Sequence, residues 1–186
     1  MNKSLPFDQY QRYMNAAEII RLYKNKNEVD QIRVLEVGAN EHKNLELFLP
    51  NDRIIYLDIE IPESLLSDPA YVQGDATDMN FADAEFDFVV ALDVYEHIPS
   101  ETKEKFINEL NRVSKCGFII SAPFYSEKVQ EAEARVNTYY RILYGEDYRW
   151  LKEHEDIGLP SLVETENILI KRNIHHFIFG HGALDI

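Results

Sequence analysis

Arg33-Val34-Leu35-Glu36-Val37-Gly38-Ala39-Asn40 decides how this chain folds. Ile32 to Val37 is an apolar run, broken only by Arg33 and Glu36, that stops on a glycine. Such a run, bounded by a turn, suits a parallel strand covered on both faces. Gly38 carries no side chain, so backbone there can approach a ligand closely. Twenty residues further on, Ile54-Ile55-Tyr56-Leu57 ends on Asp58. An acid at that interval after a glycine turn is how a doubly wound sheet holds a ribose by its hydroxyls.

Outward from this crevice, strands and helices alternate. A 3.6-residue apolar period predicts a helix over Pro6 to Lys24. A short helix is expected over Lys43 to Leu49, another over Pro62 to Ser67, and a small strand over Tyr71 to Gln73 before Gly74-Asp75-Ala76. Phe86 to Leu92 reads as the fourth strand, with Asp93-Val94-Tyr95-Glu96-His97-Ile98-Pro99 at its carboxyl end. Ser100 is expected to cap a helix carrying Phe106, Ile107, Leu110 and Val113. Gly117 to Ala122 is the fifth strand. This alternation predicts an α/β fold: a doubly wound, mostly parallel sheet with right-handed crossovers.

Beyond Pro123 the pattern turns polar and helical, breaking at Gly145 and stopping at Gly158-Leu159-Pro160. We expect one domain over residues 1–186, with a helical cover at about 126–160. Ser161 should cap a further helix through Lys171, and Ile174 to Phe179 should form a sixth strand. Gly180 to Ile186 is too short for a turn and a full seventh strand. The last strand is therefore expected to be missing or rudimentary, which predicts a fragment of a longer protein or self-association through the C-terminal sheet edge.

With 45% hydrophobic and 28% charged residues the composition is that of a globular domain. A net charge of −14 without a basic cluster argues against a nucleic-acid partner. The single cysteine, Cys116, precludes an internal disulfide and reads as a buried core thiol. No apolar run reaches membrane-spanning length and no signal peptide is visible, so a cytoplasmic location and no membrane insertion are expected.

A dinucleotide pyrophosphate needs three glycines and a bare helix N-terminus. This turn has one glycine, then Asn40, Glu41 and His42, and Asp58, Asp75 and Asp93 stand at further strand ends. That rim repels phosphate and suits a cation carrying a ribose. The succession Val34-Leu35-Glu36-Val37-Gly38, Tyr56-Leu57-Asp58, Gln73-Gly74-Asp75-Ala76, Phe86-Asp87-Phe88-Val89-Val90 and Asp93 to Pro99 resembles the class I S-adenosylmethionine-dependent methyltransferases over residues 32 to about 123.

The resemblance implies a Rossmann-like methyltransferase fold and S-adenosylmethionine as cofactor. It implies that Glu36 and Gly38 frame the methionine part, Asp58 holds the ribose, Asp75 and Ala76 meet the adenine edge, and Asp93 lies beside the methionyl end. Two of the family's glycines are replaced by Asn40 and His42; Asn tolerates a left-handed backbone, so Asn40 can keep its place in the cofactor loop. Trp150 to His154 and Gly158-Leu159-Pro160 resemble bacterial methyltransferase domains found alongside glycosyltransferases.

A methyl on sulfonium is already activated, so a general base is needed only if the acceptor must lose a proton. His97 is the first candidate and His154 the second. His97 could equally cap the next helix, and Asp75 could simply belong to a turn. Tyr139, Tyr140, Tyr144 and Tyr148 sit at helical spacing and read as packing. His175, His176 and His181 lack ligand spacing with an acid pair, so no metal is expected. The function expected is methyl transfer to an oxygen or nitrogen of a small molecule or glycan. The alternatives are a non-catalytic module of the same fold in an assembly and a nicotinamide-dependent oxidoreductase.

Overall fold

A computed structural model describes residues 5–180. It divides into two compact units, one running to Val94 and including Lys105–Ser121, the other comprising Tyr95–Glu104 and the chain from Ala122.

The first unit is built on a five-stranded sheet: β1 (Arg33–Val37), β2 (Arg53–Asp58), β3 (Tyr71–Gln73), β4 (Phe86–Leu92) and β5 (Ser114–Ser121), in the order β3-β2-β1-β4-β5. Every pairing is parallel, with Val34 opposite Ile54 on one side and Phe88 on the other. This is the doubly wound sheet expected of a Rossmann-like methyltransferase. Helix α1 (Phe7–Asn27) buries Ala16, Ala17 and Ile20 in a core shared with Val34, Ile54, Tyr56, Phe88 and Val90. Alternate strand residues point to opposite faces. Leu35, Val37, Leu57, Val89 and Ala91 are accordingly buried on the other face, and Phe106, Ile107, Leu110 and Val113 of α2 (Lys103–Val113) are buried completely.

In the second unit Ser126 caps α3 (Glu127–Tyr144), its Oγ accepting the Val129 amide at 3.2 Å. The break at Gly145 is real: φ is +80° there, and α4 (Arg149–Ile157) follows. Ser161 caps α5 (Leu162–Lys171) through the Glu164 amide. Tyr140 packs against Tyr144 and Tyr148, with ring centroids 4.5 and 5.1 Å apart. Among the described residues no helix is long and apolar enough to cross a membrane.

Several expectations are corrected. The helices expected at 43–49 and 62–67 are 3₁₀ turns, Leu45–Leu47 and Glu63–Leu65. Ser100 does not cap α2; it begins another 3₁₀ turn, Ser100–Thr102. Cys116 is exposed, because one extra residue on β5 opposite Phe86–Phe88 bulges Lys115 and Cys116 outward. The sixth strand does not form. The amides of Arg172, Asn173 and Ile174 bond back to α5 carbonyls, so the chain leaves the helix at a left-handed Asn173, and Phe177 is 94% exposed. The rudimentary last strand proposed for the chain end falls largely on residues 181–186, outside those described.

Candidate active site

Because the strands are parallel and in register, Val37, Asp58, Gln73 and Leu92 end at one edge of the sheet. The turn after β1 is fixed by sterics. Gly38 has φ +75°, its amide donates to the Leu57 carbonyl at 2.8 Å, and a Cβ there would lie 2.2 Å from Cγ2 of Val94. Only glycine fits. Asn40 has φ +52°, so it takes the left-handed place of the family's glycine, and His42 is exposed.

Asp58 ties this loop down. Its Oδ2 accepts the Asn40 amide at 2.7 Å and its Oδ1 the Glu60 amide at 3.2 Å. Asp75 is exposed in a turn, Oδ1 accepting the Thr77 amide at 2.7 Å, and the neighbouring Ala76 is half-buried. Asp93 has φ +55° and meets the Arg12 guanidinium of α1 at 2.5 Å. Nothing in the sequence singled out Arg12, which lies 81 residues from its partner.

Glu36 is 2% exposed, where the sheet meets α1. Tyr13 donates its hydroxyl hydrogen to Oε1 at 2.7 Å, while Oε2 is buried without a hydrogen-bond partner. Burial drives its carboxyl up to about 8, against the lowering effect of the Tyr13 bond and with help from the charge of Glu46.

In the second unit, the 3₁₀ turn Tyr95–His97 and helix α4 bring the two histidines together, their ring centroids 5.1 Å apart. His97 Nδ1 lies 3.2 Å from Glu153 Oε1, and its ring meets Trp150 edge-on at 5.1 Å. His154 Nδ1 bonds Glu133 Oε1 at 3.0 Å, while its Nε2 is buried with no hydrogen-bond partner. Burial pushes the His97 ring below its ordinary value, outweighing the charge of Glu153. Burial also opposes protonation of His154, but the Glu133 bond and the surrounding carboxylates carry it above its ordinary value. Glu96, buried beside His97, was not singled out from sequence, although the Glu96-His97 dipeptide carried the signal. Glu133 is 21 residues from His154 and gave none.

Two observations of the structure test the first unit for the cofactor. A tight left-handed turn, Gly38 packed against Val94 and then a left-handed Asn40, follows β1, and a buried, half-satisfied carboxyl stands near the end of that strand. These residues fit a nucleoside with a cationic amino-acid tail.

This sheet and loop are like those of the class I S-adenosylmethionine-dependent methyltransferases, whose cofactor is S-adenosylmethionine. Residues 35–121 match the family described as methyltransferase domain. A SAM-dependent methyltransferase from Archaeoglobus fulgidus shares the fold at a TM-score of 0.54 and 15% identity, over 89% of this chain and 72% of that one. YcgJ from Bacillus subtilis gives 0.51 and 20% identity over 83% and 67%. A Bacillus halodurans protein described as a candidate methyltransferase is 23% identical at a TM-score of 0.44, covering 69% of this chain. The present chain spans 62% of that protein's length.

Proposed function

We propose that this protein moves a methyl group from S-adenosylmethionine to an oxygen or nitrogen of a small molecule or glycan. The observation that carries this reading is the loop after β1, which keeps left-handed geometry at Gly38 and Asn40 although one of those positions is not glycine. When bound, the cofactor supplies a methyl on sulfonium, activated for displacement. Glu36 and Gly38 would hold its methionine part, Asp58 its ribose hydroxyls, Asp75 and Ala76 its adenine edge, and Asp93 its methionyl end. Arg12, already at Asp93, adds a cation for the methionyl carboxylate. The His97–His154 cluster handles the acceptor's proton. His97, kept neutral by burial, is the ring able to take it directly.

Calorimetric titration tests the cofactor reading. S-adenosylmethionine should bind saturably, be displaced by S-adenosylhomocysteine, and leave NAD without a response. Asp58→Ala should weaken that binding by about 1.5–3 kcal/mol, the worth of charge-assisted bonds. Because Asp58 also anchors the Asn40 and Glu60 amides, Asp58→Asn is the companion variant. It keeps acceptors for the loop and loses the charge. Unchanged affinity in both variants, with native circular dichroism, would remove Asp58 from the site, and silence towards both cofactor forms would leave a non-catalytic module.

A further inference from the structure

Glu96, His97 and His154 each offer a ligand atom within 4.8 Å of the other two. We propose that they form a binding site for a first-row divalent cation of the Zn²⁺ kind, contrary to the expectation of no metal. The inference goes beyond methyl transfer and does not depend on it.

Three features of the cluster favour a metal over packing. The first is the unpartnered Nε2 of His154, whose side chain is only 9% exposed. A buried polar atom left without a partner is costly, and coordination removes that cost. The second is the outer ring. Glu133 holds Nδ1 of His154 at 3.0 Å and Glu153 lies 3.2 Å from Nδ1 of His97. On His154 the Glu133 carboxylate at Nδ1 fixes the tautomer and raises the basicity of the other ring nitrogen, as around metal-bound histidine, whereas Glu153 contributes charge beside a His97 Nδ1 that makes no hydrogen bond. The third is charge. Three carboxylates, Glu96, Glu133 and Glu153, surround two imidazoles.

Two imidazoles and one carboxylate are a borderline donor set that suits Zn²⁺, Co²⁺ or Fe²⁺ and leaves at least one coordination position open. Mg²⁺, which prefers oxygen donors and keeps its waters, fits poorly. With a cation bound, His97 and His154 are ligands, so the proton-accepting role proposed for His97 belongs to the metal-free protein, and the open position can take a water or hydroxide.

The test uses the full chain freed of metal by a chelator, without cofactor. Co²⁺ titration, followed by visible ligand-field absorption, should show one equivalent bound with a Kd of about 1 μM or tighter, and Zn²⁺ should displace it. His154→Ala and His97→Ala should abolish the bands. Glu133→Gln, which leaves all three ligands in place, should weaken binding by about 10–100-fold. His175→Ala with His176→Ala should change nothing. Circular dichroism checks each fold; should His154→Ala misfold, the Glu133→Gln shift decides. Absence of one-equivalent Co²⁺ binding, or binding that survives both histidine changes, would overturn the site. Failure here leaves the S-adenosylmethionine titration unaffected, so the two readings stand or fall separately.

Discussion

Glu36 is the residue where burial and charge make opposite demands. A carboxyl at the end of a central strand, 2% exposed and half-satisfied, is most stable neutral. Its folded value of about 8 lies above the ordinary 4.5, so between those values the folded chain holds a proton that the unfolded chain has released. Stability from this group is therefore complete below about pH 4.5 and declines as pH rises towards 8, by at most about 1.4 kcal/mol per unit. Glu36→Gln cannot ionise and still accepts the Tyr13 hydroxyl hydrogen. Urea unfolding at pH 5 and pH 8 should show the variant gaining on the parent at the higher pH. Parallel profiles would mean that Glu36 ionises at an ordinary pH. A ligand ammonium beside Oε2 would favour the charged form, so cofactor affinity should rise with pH over the same range.

The element that matters most for the histidine cluster is the α3–α4 corner. Gly145 opens it with a left-handed residue, and a Cβ there would meet nothing within 4 Å, so Gly145→Ala should cost only conformational strain, about 1 kcal/mol. Asn137 closes it. Its buried amide donates to Asp147 Oδ1 at 3.1 Å and accepts the Tyr148 amide at 2.8 Å, the residue just before α4. Asn137→Ala would strand that amide and should destabilise the protein by about 1–3 kcal/mol, measured by thermal unfolding. It should also loosen the alignment of His154 on α4 with Glu133 on α3, visible as a shift of the His154 ring resonances. A variant as stable as the parent, with an unmoved ring, would show that packing alone sets the corner. The Gly145 break was legible because glycine marks a helix end chemically. Asn137 was not, because a polar residue inside a polar helix looks the same whether it faces water or a neighbouring loop.

At the scale of the molecule, β1 to β4 were legible because a strand covered on both faces must be apolar throughout. Val34-Leu35 and Phe88-Val89-Val90-Ala91 have no other stable use. The same reasoning failed at Ile174 to Phe179, where a run interrupted by His175 and His176 stays mostly exposed and its first amide completes the end of α5. The acids at strand ends could be placed from spacing alone. Arg12, Glu133 and Glu153 could not, since ion pairs across distant elements leave no periodic trace. The sheet order also sets a timetable. β1 occupies the centre, and its neighbour β2 follows within 16 residues, but β4 begins 49 residues after β1 ends. At ordinary synthesis rates that gap lasts roughly 2–10 s. During it, β1 presents an apolar edge with unpaired amides to anything nearby. A nascent chain arrested between residues 58 and 85 should therefore cling to chaperones or aggregate, and one extended past β5 should be released. The middle of the finished sheet is, for those seconds, its most exposed edge.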